Sequence, residues 1–77
     1  MTHDDELAIW TVCRFPTDFP DKFTARKSLI LAGRYEVTSE VYVADTLAAI
    51  RAQMEQMGLT PLPRDPADDP IIVESWI

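Results

Sequence analysis

The chain has 77 residues and a net charge of −6, from 13 acidic and 7 basic side chains. This length fits one small domain, and the single cysteine, Cys13, excludes an internal disulfide and with it the class of secreted, disulfide-stapled scaffolds. The negative charge opposes general binding to nucleic acid or to anionic lipid.

The amino-terminal segment lacks the pattern of an export signal. Asp4, Asp5 and Glu6 are consecutive acids where a signal peptide would need a basic and then an apolar segment. No apolar run approaches the roughly 20 residues that cross a bilayer. We therefore expect a soluble, cytoplasmic protein with one domain over residues 1–77, of which residues 1–6 form a mobile tail.

The first predicted element is a strand over residues 7–14, which are rich in β-forming side chains and end at a turn cluster. Residues 15–22 follow as a loop. Pro16 and Pro20 fix the backbone there, and Asp18 can bond nearby amides, so we expect this loop to be ordered.

Two further strands are predicted before the helix. Alternation of apolar and polar residues indicates a strand over residues 23–31, with Lys27 as an exception on the apolar side. Gly33 supplies a turn, and the alternation from Val37 to Val43 indicates a third strand. Three successive strands of this kind are typical of a meander.

A helix is predicted over about residues 46–57. Its apolar residues recur at spacings of three and four and therefore share one stripe: Leu47, Ile50, Met54 and Met57. Asp45 or Thr46 can cap the first turn, and Gly58 fits the left-handed position that closes a helix.

The last predicted strand covers residues 71–77, after a connector at residues 60–70 that is rich in Pro and Asp. Because the helix reverses the chain, we expect this strand to run parallel to the first strand and to lie beside it, through a right-handed crossover. The predicted fold is α+β, a small β-β-β-α-β sheet with the helix packed on one face.

The first and last strands are apolar on both faces, although successive side chains of a strand point to opposite sides. One helix covers one face only, so we expect an aromatic patch with Trp10 and Trp76 to stay open on the other. The alternative is that residues 15–23 or the connector at residues 60–70 fold over that face and bury the two indoles.

Groups for catalysis, metals or cofactors are sparse in the sequence. Cys13 is the single thiol and His3, in the expected tail, is the single histidine, which makes a poor nucleophile and base pair and cannot close a zinc site. The acids of the connector lack the spacing of a calcium loop. We expect no catalytic residue, no metal and no cofactor.

Three functional hypotheses follow. The leading one is a non-enzymatic binding or adaptor module whose sheet binds a protein partner or a second copy, with Trp10 and Trp76 as binding residues. The second is a small enzyme or ligand-binding domain with a polar site between the proline-rich loops, lined by Asp18, Arg26, Asp68 and Asp69. The third is an acidic modulator of a basic or nucleic-acid-binding partner, because residues 35–77 hold eight acids and two bases.

Short motifs are spread over nearly the whole chain. They are Trp10, a Pro-x-Asp-Phe-Pro turn at 16–20, Phe-x-Ala-Arg at 23–26, Asp-Thr-Leu at 45–47, and Asp-Asp-Pro-x-Ile-Val-Glu-x-Trp at 68–76. On these motifs the chain resembles a group of short bacterial proteins to which no activity is assigned. The resemblance therefore implies no mechanism.

Overall fold

The computed structural model describes residues 7–63 and 70–77, so the expected tail and the predicted site residues Asp68 and Asp69 lie outside the described residues. It is an α+β domain, which confirms the predicted fold class. The elements in chain order are β1 (Leu7–Arg14), β2 (Phe23–Leu31), β3 (Arg34–Ala44), α1 (Leu47–Gln56), β4 (Pro61–Leu62) and β5 (Ile72–Trp76). The strands form one sheet in the order β3-β2-β1-β5-β4, and all neighbours are antiparallel.

Helix α1 begins and ends where its capping residues predict. The Thr46 side chain accepts a hydrogen bond from the Ala49 amide at 3.2 Å. At the other end, Gly58 has a φ of 75°, and the amides of Gly58 and Leu59 donate to the carbonyls of Glu55 and Met54. This pair of bonds is a Schellman motif, which explains why the helix stops there.

The predicted direction of the last strand is wrong, although its place beside β1 is correct. β5 runs antiparallel to β1. The reason is the two-residue strand β4, which follows the helix and pairs antiparallel with β5. Thr60 and Ile77 extend this pairing by exchanging two backbone hydrogen bonds, of 2.6 and 2.9 Å. Because β4 is an extra strand between the helix and β5, the chain changes direction once more before β5 begins.

Strand β3 carries a bulge in which residues 38–40 lie opposite the single residue Lys27 of β2. The Thr38 hydroxyl donates to the Lys27 carbonyl at 2.9 Å and accepts from the Glu40 amide at 3.2 Å. Because the bulge adds two residues, side chains before and after it keep the same alternation between the two faces.

The core lies between the sheet and α1. Its buried apolar residues come from β1, β2, α1 and β5: Trp10, Val12, Ala25, Ile50, Met54 and Trp76. Trp10 and Trp76 are direct cross-strand partners, so both indoles lie on the face that the helix covers.

Candidate binding surface

The two tryptophans do not form the predicted open patch. Each is only 3% exposed, and Ile50 and Met54 of the helix belong to the same buried cluster. The helix itself therefore covers the indoles, and Trp10 and Trp76 are core residues in this structure.

The face of the sheet opposite the helix is called the open face here. The strand register assigns to it the following residues: Leu7, Ile9, Thr11, Cys13, Thr24, Arg26, Ser28, Ile30, Tyr35, Val37, Val41, Val43, Leu62, Ile72 and Ser75. Five large apolar side chains of this face are between 38% and 61% exposed, namely Leu7, Ile30, Tyr35, Val37 and Val43. A sheet face exposed to water normally carries polar residues, so these five exposed apolar side chains are unusual. Two polar residues of the same face, Thr24 and Ser28, are only 1% and 3% exposed, so this face is not open to solvent over its whole area.

Sequence analysis did not identify most open-face residues as binding candidates, because it assigned the exposed aromatic patch to the two tryptophans. The signal that could have found it is the alternation of the third strand. Val37, Val41 and Val43 fall on one face, and the register adds Tyr35 to them. That face is the one that α1 leaves uncovered.

The charge on the open face is neutralised within the chain. Among its described residues, Arg26 is the one that carries charge, and its guanidinium donates to the Asp18 carboxylate at 2.7 Å. Asp18 belongs to the loop at residues 15–22, so this loop reaches the open face at Arg26. The pairing leaves no unpartnered charge among the described residues of this surface.

Asp18 and Arg26 are two of the four residues predicted to line a polar site, and the structure brings these two together. The guanidinium of Arg26 and the carboxylate of Asp18 neutralise each other's charge. No pocket forms among residues 7–63 and 70–77. The other two predicted residues, Asp68 and Asp69, lie outside this part of the chain. The enzyme or ligand-site hypothesis stays a prediction.

The Glu74 carboxylate lies on the helix side of the sheet and accepts more hydrogen bonds than any other carboxylate among the described residues. Arg51 of the helix donates three hydrogen bonds to it, between 2.7 and 3.2 Å, and the Trp76 indole donates a fourth at 2.7 Å. The Arg51 hydrogen bonds lower the pKa of Glu74, against the opposing effect of burial, and the same contacts raise the pKa of Arg51. An ionised carboxylate with this many donors serves to fasten α1 to β5 and is poorly suited to proton transfer.

The remaining charges of the described chain cluster away from the open face. The register places Glu36 on the helix side, and Lys27, also on that side, pairs with Glu40 at 3.3 Å. Lys22 pairs with Asp45 beside the start of the helix, a contact that raises the pKa of Lys22. An acidic modulator would use these other surfaces, and that hypothesis stays a prediction.

Comparison of the chain with family models, curated proteins and solved structures finds no match. The resemblance to short bacterial proteins therefore stays a prediction. Within the described ranges, no helix has the length and apolar character that crossing a membrane requires. The same residues contain no group of three or more His, Cys, Asp or Glu side chains placed to hold a metal ion.

Proposed function

We propose that this protein is a non-enzymatic binding or adaptor module that docks a protein surface on its open face. The observation that supports this proposal is the asymmetry of the sheet. The helix buries the centre of one face, where Tyr42 stays 39% exposed, whereas the described part of the other face exposes five large apolar side chains. Soluble proteins rarely leave a contiguous apolar surface in water, and such surfaces mark interaction sites.

The composition of the open face is that of an interface centre. Interface cores are depleted in charge and enriched in Tyr relative to other protein surfaces. Tyr35 is 59% exposed, and its hydroxyl donates to Ser28 at 3.0 Å. Because this bond orients the ring in advance, less side-chain entropy is lost when a partner packs on it.

The sheet edges are less suitable for docking than the open face. The edge strand β4 has two residues and begins with Pro61, which has no amide to donate. The opposite edge, β3, is interrupted by the bulge at residues 38–40. Short strands, proline and bulges are the features that protect natural sheet edges from added strands. The face itself carries no comparable protection.

Affinity capture with a matched pair of charge variants tests the proposal. Val37→Glu adds one negative charge to the open face, on the edge strand β3, at a side chain that is 61% exposed and therefore contributes little to the core. Ala52→Glu adds the same charge at an exposed position of the helix. We would use tagged unaltered protein and both variants as baits in lysate of the source cell, and quantify bound proteins by mass spectrometry.

A partner that docks on the open face should be recovered with the unaltered bait and with Ala52→Glu, and its recovery should fall at least tenfold with Val37→Glu. The reason is that a carboxylate buried against apolar side chains loses its hydration without gaining a counterion. Equal recovery of every bound protein, including copies of the chain itself, by the three baits would show that the open face is not the binding surface.

A further inference from the structure

We infer that the partner of the open face is a second copy of this chain, packed face to face. This inference rests on the proposed function and names its partner. Two sheets that pack through apolar faces keep their strands roughly aligned, with side chains interdigitating in a layer about 10 Å thick. The helices would then lie on the two outer sides, giving four layers in place of two.

The size of the open face agrees with a small but specific dimer. Strands β1, β2, β3 and β5 have 8, 9, 11 and 5 residues. Their average length of about 27 Å and a spacing of about 4.8 Å give a flat area of roughly 500 Å² per chain. Two copies would together bury about 1,000 Å², the lower bound for a specific protein interface. An obligate dimer buries about 2,000 Å² or more, so an interface of this size belongs to the class of reversible complexes.

The distribution of charge favours a second copy over a partner that is strongly basic. A basic partner would find exposed carboxylates at Glu36, Asp45 and Glu55, all of them away from the open face. Among the described residues of the open face, such a partner finds only the charge of Arg26, which Asp18 already neutralises. A second copy presents the same apolar surface with the same internally paired Arg26, so among the described residues neither copy buries an unpartnered charge.

The salt dependence of association distinguishes a dimer of this chain from a complex with a basic partner. Each copy carries a net charge of −6, so two copies repel each other at a distance although their contact surfaces are neutral. Screening by salt weakens that repulsion and should tighten the dimer. Association of the acidic surface with a basic partner would respond in the opposite direction.

Sedimentation equilibrium between about 1 and 200 μM tests the inference directly. The unaltered protein should pass from one to two chain masses over this range, with a lower dissociation constant at 0.5 M than at 0.05 M salt. Val37→Glu should raise the dissociation constant at least tenfold, and Ala52→Glu should change it less than threefold. Val43→Glu, also on the open face, serves as a second variant if circular dichroism shows that Val37→Glu does not fold.

The Cys13 thiol provides a readout that requires no substitution, because the register places it on the open face. Its reaction with a bulky aromatic disulfide reagent should slow at least threefold as the protein concentration rises through the dimerisation range. A protein that stays a monomer at 200 μM, or a dimer that is insensitive to both open-face variants, would overturn the inference. A monomer whose capture of a different protein still depends on Val37 would overturn the homodimer and leave the proposed function standing.

Discussion

The indole nitrogen of Trp76 donates a hydrogen bond to the Glu74 carboxylate at 2.7 Å, from two residues later on the same strand. Trp76 is almost fully buried, and a buried indole N–H without an acceptor would cost about 1 to 3 kcal/mol. The same carboxylate receives the guanidinium of Arg51. One acidic group therefore satisfies a core tryptophan and also joins the helix to the sheet.

Replacement of Glu74 by Gln should lower the free energy of unfolding by about 1.5 to 3 kcal/mol at pH 7, the range for a hydrogen bond to a charged group. The amide oxygen of Gln can still accept from one donor, but the charge that Arg51 requires is lost. Urea unfolding followed by circular dichroism measures the change. Glu55→Gln, at an exposed position of helix α1, is the control and should stay within about 0.5 kcal/mol. Equal stability of the two variants would contradict the proposed role.

The lowered pKa of Glu74 also predicts a pH dependence. A carboxyl group whose pKa is lower in the folded state contributes its full stabilisation above the unfolded value of about 4.3, and the contribution is lost as the pH falls through the folded value. The unaltered protein should therefore lose more stability than Glu74→Gln between pH 5 and pH 2. Unfolding midpoints measured across this range should converge at the acidic end. A constant difference would show that ionisation of Glu74 is not the cause.

Met54→Ala should be among the most destabilising single substitutions in the helix. Met54 has no exposed surface and packs in the cluster with both tryptophans. Truncating a buried Met to Ala typically costs about 2 to 5 kcal/mol, which approaches the whole stability of a domain this small. Met57→Ala provides a matched control, because Met57 is 37% exposed at the helix end. In thermal melts, Met54→Ala should have a clearly lower unfolding midpoint than Met57→Ala. Similar midpoints would mean that the buried cluster is less tightly packed than the structure shows.

The Thr38 hydroxyl should be required for the stability of the bulge in β3. Thr38→Val keeps the shape of the side chain and removes both of its hydrogen bonds, to the Lys27 carbonyl and from the Glu40 amide. We expect a loss of about 1 kcal/mol in the free energy of unfolding, measured in urea. Thr38→Ser retains the hydroxyl and should recover most of that loss. If Thr38→Ser is as unstable as Thr38→Val, the two hydrogen bonds of the hydroxyl do not account for the loss.

Local signals predicted most of the secondary structure. Strands β1 and β2 follow the predicted residues 7–14 and 23–31, and the helix ends as Gly58 indicates. Strand β4 was missed because two residues beginning with Pro61 show no periodicity. Its pairing with β5 depends on contacts between segments distant in the chain, such as Thr60 and Ile77, and it sets the direction of the last strand.

The exposed face could not be assigned from alternation alone. Alternation shows that β1 is apolar on both sides, but it does not show which side receives the helix. In the structure the helix covers the side with Trp10, Val12 and Trp76. Burying two indoles removes more apolar area from water than burying Leu7 and Ile9, so this choice gives the larger hydrophobic stabilisation. The smaller apolar side chains are left on the other surface.

The two additional residues of the β3 bulge restrict how the length of this segment can vary. Deleting one residue from 38–40 would rotate every later side chain of the strand by half a turn, which would move Val41 and Val43 under the helix and turn Tyr42 toward solvent on the opposite side. Deleting two would restore a regular ladder without exchanging the faces. Sequence variants of this protein should therefore tolerate even-numbered changes of length here and reject odd-numbered ones.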